Sequence, residues 1–223
     1  LGLIPPNRFI PIAESSGLIL LIGPMVVRLA CEQIAAWRRA GVPLVPVALN
    51  LSATELYQEG FAGRISEIAA EVGVDPGLLE IEITESAAMR SIDQAVDVLS
   101  ELRDRGFALA IDDFGTGYAS LSYLNRLPVQ TLKIDRSFLA EIGSRHPGQS
   151  QAETIVKAII GLGANLGLQV IAEGVETEAQ RAFLIAHGCR EAQGFLFSPP
   201  QPAEDIEAML RRRAIAPGLA PIG

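Results

Sequence analysis

The chain of 223 residues has only two cysteines, Cys31 and Cys189, and two histidines, His146 and His187. Two thiols so far apart in sequence give no disulfide framework, and the expectation is two buried free thiols in a reducing cytoplasm. Two isolated histidines are too few for a histidine-built metal site. No basic run follows any segment, and the formal net charge is −8. That argues against binding a nucleic-acid duplex through its phosphates, although a small nucleotide needs only a few local contacts. The longest apolar run, 18–27, is broken by Gly23 and Pro24 and closed by Arg28. It is too short to span a bilayer, so no membrane segment is expected. No secretory signal stands at the N-terminus. A Gly-rich phosphate loop after the first strand, the mark of an open doubly wound sheet, is also missing.

What is present is alternation. Nearly half of the chain is apolar, enough for a large core. Short β-rich runs at 45–52, 78–84, 107–111, 129–134 and 168–172, with a weaker one near 192–196, are separated by helical spacing at 24–39, 91–105, 155–166, 177–187 and 203–212. Repeated β-then-α units of this length mean a parallel sheet. If the sheet closes as a (β/α)8 barrel, the active site lies at the C-terminal strand ends.

Those ends carry Asn50, Glu82 with Glu85, Asp112 with Asp113, Lys133 with Asp135, Glu173 with Glu176, and Gln193. Each has an ordinary reading. An aspartate there can cap a helix, Asn50 can do the same, Lys133 can be a solvated surface lysine, and Glu176 can be a first-turn acid. Polar residues at six successive strand ends exceed those readings. Barrel strands converge on one mouth, and so many carboxylates beside one lysine cannot all stay ionised without a cation. Hard oxygen donors select Mg²⁺ or Mn²⁺ over zinc. The adjacent pair Asp112-Asp113 suits two metals, an arrangement that activates water for in-line displacement at phosphorus.

The blocks Asn50-Leu51-Ser52, Glu82-Ile83-Thr84-Glu85-Ser86, Asp112-Asp113-Phe114-Gly115-Thr116-Gly117, Leu132-Lys133-Ile134-Asp135, Ala172-Glu173-Gly174-Val175-Glu176 and Ala192-Gln193-Gly194-Phe195 resemble, in order, the signature of the EAL-domain family of cyclic di-GMP phosphodiesterases. The segment 5–14 resembles the family's approach to its first long helix. The resemblance implies a modified (β/α)8 TIM-type barrel over 1–213, with a loose tail at 214–223. It implies hydrolysis of cyclic di-GMP to linear pGpG with Mg²⁺ or Mn²⁺ at a two-metal site. Asn50, Glu82 and Asp112 would be metal ligands and Asp113 would belong to the second metal. Glu173 would bind metal or act as base, and Lys133 would hold the attacking water or a phosphate oxygen. Gln193, Asp135 and Glu176 would support the substrate or the second metal. Glu85 would anchor the loop 112–117, which contributes to dimer contacts in the family. A homodimer, an upstream sensor or GGDEF-type domain, and a cytoplasmic location follow from the same likeness, with a membrane anchor possible only upstream.

Two departures stand out. No Glu-Ala-Leu tripeptide occurs, and the likeness begins after the strand that would carry it. Six strands instead of eight agree with a barrel lacking its first two. The expectation is then exposed sheet edges that invite association, weaker metal capture and impaired catalysis. The block Phe197-Ser198-Pro199-Pro200 lacks the basic residue usual near Pro199. A non-catalytic cyclic di-GMP receptor or dimerisation module is the alternative; such degenerate members usually lose the acids, which are present here. An acid-rich barrel using Mg²⁺ for enolisation is a third reading, separable by its products.

Overall fold

In the computed structural model, residues 4–117, 121–143 and 149–215 are described. The chain divides into two compact units, Leu1–Leu109 and Ala110–Gly223.

In the first unit α1 (Pro6–Ser16) leads to α2 (Ile19–Arg39), β1 (Val47–Leu51), α3 (Ala53–Leu56), α4 (Phe61–Val72), β2 (Leu79–Thr84), α5 (Glu85–Met89) and α6 (Ile92–Asp104). β1 and β2 pair in parallel, with Asn50 opposite Glu82. The core forms where α2 presents Val27, Cys31, Ile34 and Ala35, spaced three and four apart, alongside Phe61, Ile65 and Ile68 of α4. α6 adds Ala95, Leu99 and Leu102 by the same spacing.

α2 begins five residues before the start expected from Pro24. The Leu18 carbonyl accepts the N–H groups of Leu21 and Ile22, at 2.9 and 3.1 Å, and so starts the helix early. Pro24 therefore lies inside the helix, where it cannot donate to the carbonyl four residues back. The longer helix also changes the membrane reading. α2 is long and apolar enough to cross a membrane by length and composition alone, because the helix continues past Arg28, where the apolar run stops.

β3 (Ala108–Phe114) crosses from one unit into the next. The second unit continues with α7 (Leu121–Leu124), β4 (Thr131–Ile134), α8 (Arg136–Ala140), α9 (Gln149–Leu166), β5 (Gln169–Ala172), α10 (Glu178–Ala186), β6 (Glu191–Ala192) and α11 (Ala203–Ile215). β3, β4, β5 and β6 pair successively in parallel. All four residues of β4 are buried, as expected for a parallel strand covered on both faces, yet one of them is Lys133.

The six strands match the sequence expectation in number and order. The last is only two residues long, at 191–192. The chain then turns at Gly194, whose carbonyl accepts the N–H groups of Phe197 and Ser198. Ala214 and Ile215, expected in the tail, belong to α11, and residues 216–223 lie outside the described residues. Cys31 and Cys189 are buried free thiols, as anticipated.

Leu99 is fully buried and Leu29 is exposed on α2. Leu99→Ala should cost about 2–5 kcal/mol, and Leu29→Ala should stay within about 0.5 kcal/mol. Urea unfolding followed by the single tryptophan, Trp37, checks this; equal shifts for the two variants would contradict the core assignment.

Candidate functional site

A regular strand sends neighbouring side chains to opposite faces. Asp112 and Asp113 escape that rule. The register of β3 against β4 shifts between Ile111 and Phe114, and Asp113 adopts φ +52°. Aspartate tolerates this left-handed conformation better than most residues, though at some cost. A bulge of this kind re-aims side chains. Here carboxylate oxygens of Asp112, Asp113 and Glu173 come within 4.8 Å of one another. This is the group among the described residues whose donors could hold a metal ion.

Lys133 supplies the fixed positive charge. It is 4 % exposed. Its Nζ lies 3.7 Å from Asp112 Oδ1 and pairs closely with Glu173 Oε1. That same Glu173 oxygen accepts a hydrogen bond from Gln193 Nε2 at 2.5 Å. Asp112 Oδ1 also accepts the Asp113 backbone N–H at 2.9 Å. Buried ions persist when paired and hydrogen-bonded in this way.

Asp113 is the group the pairing leaves most strained. Burial, then the charge of Asp112, then a hydrogen bond to Asp135 push its carboxyl up to about 6. Asp135 moves the other way. Burial opposes its ionisation, but the Ser137 hydroxyl and backbone N–H, the Asp113 carboxyl and Arg136 outweigh that and lower it. Without a cation, Asp113 is the harder of the two carboxyls to ionise, and below about pH 6 it can share a proton with Asp135.

The expected site residues divide between the units. Asp112, Asp113, Lys133, Asp135, Glu173 and Gln193 are brought together in the second. Asn50 and Glu82 form a cross-strand pair in the first, which places them on one face of the ladder. Glu82 is buried, and so is Glu85, the first residue of α5. Glu176 is exposed, with its backbone N–H bound to the Gln180 side chain at 2.7 Å.

Sequence reasoning missed the residues that hold the loops. At Gly194, φ +153°, an added Cβ would fall 2.3 Å from the Val175 nitrogen and oxygen. This approach lets Val175 donate to the Gln193 carbonyl and accept from Leu196, each at 3.0 Å. Gln180 was also passed over, although Thr177-x-x-Gln180 is a capping-box pattern.

The EAL domain family matches residues 1–200. The chain belongs to the EAL domain family. It is 44% identical over 207 residues to the bifunctional diguanylate cyclase/cyclic di-GMP phosphodiesterase MucR of Pseudomonas aeruginosa, covering 93% of this chain and 30% of that protein. To the cyclic di-GMP phosphodiesterase NbdA of the same species it is 42% identical over 210 residues, covering 94% and 26%. The chain therefore spans less than a third of these curated relatives. Among solved structures, the PaMucR phosphodiesterase in its c-di-GMP complex matches with a TM-score of 0.87 at 44% identity, covering 92% of this chain and 81% of that one. The EAL domain of Mycobacterium smegmatis DcpA matches at 0.78 and 44%, covering 85% and 84%. The parallel α/β architecture is that of EAL domains.

The Asp113 shift has a definite sign. Between its ordinary value of 3.8 and about 6, the folded metal-free EAL chain holds more protons than the unfolded one. Asp113 therefore contributes less to stability as pH rises through that window, with no further change above it. Asp113→Asn removes this dependence. Denaturant unfolding in EDTA should show the variant gaining on wild type from about pH 4 to about pH 6, and Mn²⁺ should reverse the gain. A pH-independent difference would contradict the assignment.

Proposed function

We propose that this EAL chain hydrolyses one phosphodiester of cyclic di-GMP to linear pGpG, using Mg²⁺ or Mn²⁺ held by Asp112, Asp113 and Glu173. The observation that carries the reading is the all-oxygen cluster within 4.8 Å, with a buried lysine set between two of its members. Oxygen donors of this type suit hard divalent cations. The likeness to the cyclic di-GMP-bound phosphodiesterase supports the substrate.

A bound cation lowers the pKa of water and offsets charge developing at phosphorus. The chain's own residues do the rest. Lys133 pairs with Asp112 and Glu173 and offers its ammonium to a phosphate oxygen. Gln193 and Lys133 together fix one oxygen of Glu173, orienting that carboxylate to take a proton from the attacking water. The water oxygen bonds to phosphorus while the bond from phosphorus to the ribose 3′ oxygen breaks, and that oxygen takes up a proton. Asp135 and Glu176 support substrate or a second cation. In the same reading the parent protein is a cytoplasmic homodimer with a sensor or diguanylate-cyclase-type domain upstream.

Chromatography of cyclic di-GMP incubated with the chain and Mn²⁺ tests this. pGpG should appear, EDTA should abolish it, and Asp112→Ala should slow it by about 100-fold or more, since even outer-shell changes at metal sites cost about 10- to 100-fold. Binding of cyclic di-GMP without any pGpG would overturn the reading in favour of a receptor.

A further inference from the structure

The buried amide of Gln180 is bonded beyond what a helix cap requires. In a capping box the side chain of the third helical residue returns to the N-cap N–H. Gln180 does so: its Oε1 accepts from the N-cap Thr177 N–H at 2.9 Å, and its own N–H donates to Thr177 Oγ1 at 3.3 Å. The same Oε1 also accepts from the Glu176 N–H at 2.7 Å. Nε2 then crosses to another element and donates to the Leu139 carbonyl of α8 at 2.8 Å. Gln180 is 5 % exposed. Water therefore does little to substitute for these bonds, and losing one leaves a buried group unsatisfied.

The two segments it joins both carry site residues. α8 starts directly after Asp135, whose side chain caps it. The loop 173–177 leaves β5 with Glu173 and Glu176. Gly174 shows how closely they approach: at φ +68°, an added Cβ would lie 2.5 Å from Cβ of Arg136, the first residue of α8. The loop is thus pressed on α8 at Gly174 and tied to it through Gln180.

We propose that Gln180 is a positioning residue for the metal centre, fixing the Glu173 loop against the Asp135–α8 segment through its bond to Leu139. This rests on the reading of Glu173 as a metal-site carboxylate. Gln180 touches neither cation nor substrate. The chemistry demands an amide: glutamate would serve the capping box equally well, but a carboxylate cannot donate to the Leu139 carbonyl.

That difference makes the test. Gln180→Glu keeps the cap and breaks the tie, whereas Thr177→Val removes the cap oxygen and leaves the tie. Mn²⁺ binding, measured by calorimetry without substrate, should weaken by about 10- to 100-fold in Gln180→Glu. The added negative charge alone would strengthen it, so a loss reports geometry. Thr177→Val should lower the melting temperature while Mn²⁺ affinity stays within about twofold. Equal Mn²⁺ affinity in Gln180→Glu and wild type, or an equal loss in Thr177→Val, would overturn the proposal. If Gln180→Glu does not fold, hydrogen exchange in the wild-type chain decides: the Gln180 side-chain amide, which donates to Leu139, should be protected, and unprotected exchange there would overturn the tie. Wild type that binds Mn²⁺ without cleaving cyclic di-GMP would sink the phosphodiesterase reading and leave this one standing.

Discussion

Two carboxylates on consecutive residues of a regular strand cannot serve one site, and the chemistry of this EAL chain depends on breaking that geometry. The register shift in β3 and the left-handed Asp113 do so at one point. The cost is a strained backbone and two like charges side by side. The polar groups around them in the second unit offset that cost: a buried lysine against Asp112 and Glu173, a hydrogen bond between Asp113 and Asp135, and hydroxyl and amide donors on Asp135.

Such a cluster is useful only if its members come from rigid places. β4 brings Lys133 up through the core, so its ammonium has no solvated alternative. Glu173 sits on a loop, and that loop is held from several sides. Val175 exchanges backbone bonds with the Gln193–Leu196 turn, Gly174 lies against Arg136, and Gln180 binds the loop's end. The glycines at 174 and 194 mark the contacts where a side chain would force the segments apart.

The sequence made part of this legible. Strand number and order followed from the alternation of apolar runs, and the acids at the ends of β3 and β5 are the ones that come together in the second unit. Chemistry alone was enough to expect a hard cation among those acids. The bulge was not legible, because Asp112-Asp113 reads the same in a regular strand and a kinked one. Nor was the charge partner of Glu173, since Lys133 differs from a surface lysine only through the burial of β4. The start of α2 was misread because a proline suits a first turn so well that the preceding apolar residues looked like loop. β6 extends only over 191–192, because the apolar Phe195 and Leu196 that suggest a longer strand lie beyond Gly194, where the chain turns. Gln180 was visible as a capping-box residue, but its bond to Leu139 depends on the tertiary approach of α8 and α10.

The central claim is that Asp112, Asp113 and Glu173 form a divalent-cation site. Anomalous diffraction from crystals of this chain grown with Mn²⁺ tests it most directly. The account predicts a manganese peak bounded by oxygens of those three carboxylates, with Lys133 displaced from Glu173 or sharing it. Manganese bound elsewhere, with the Lys133–Glu173 pair intact and the cluster empty, would contradict it.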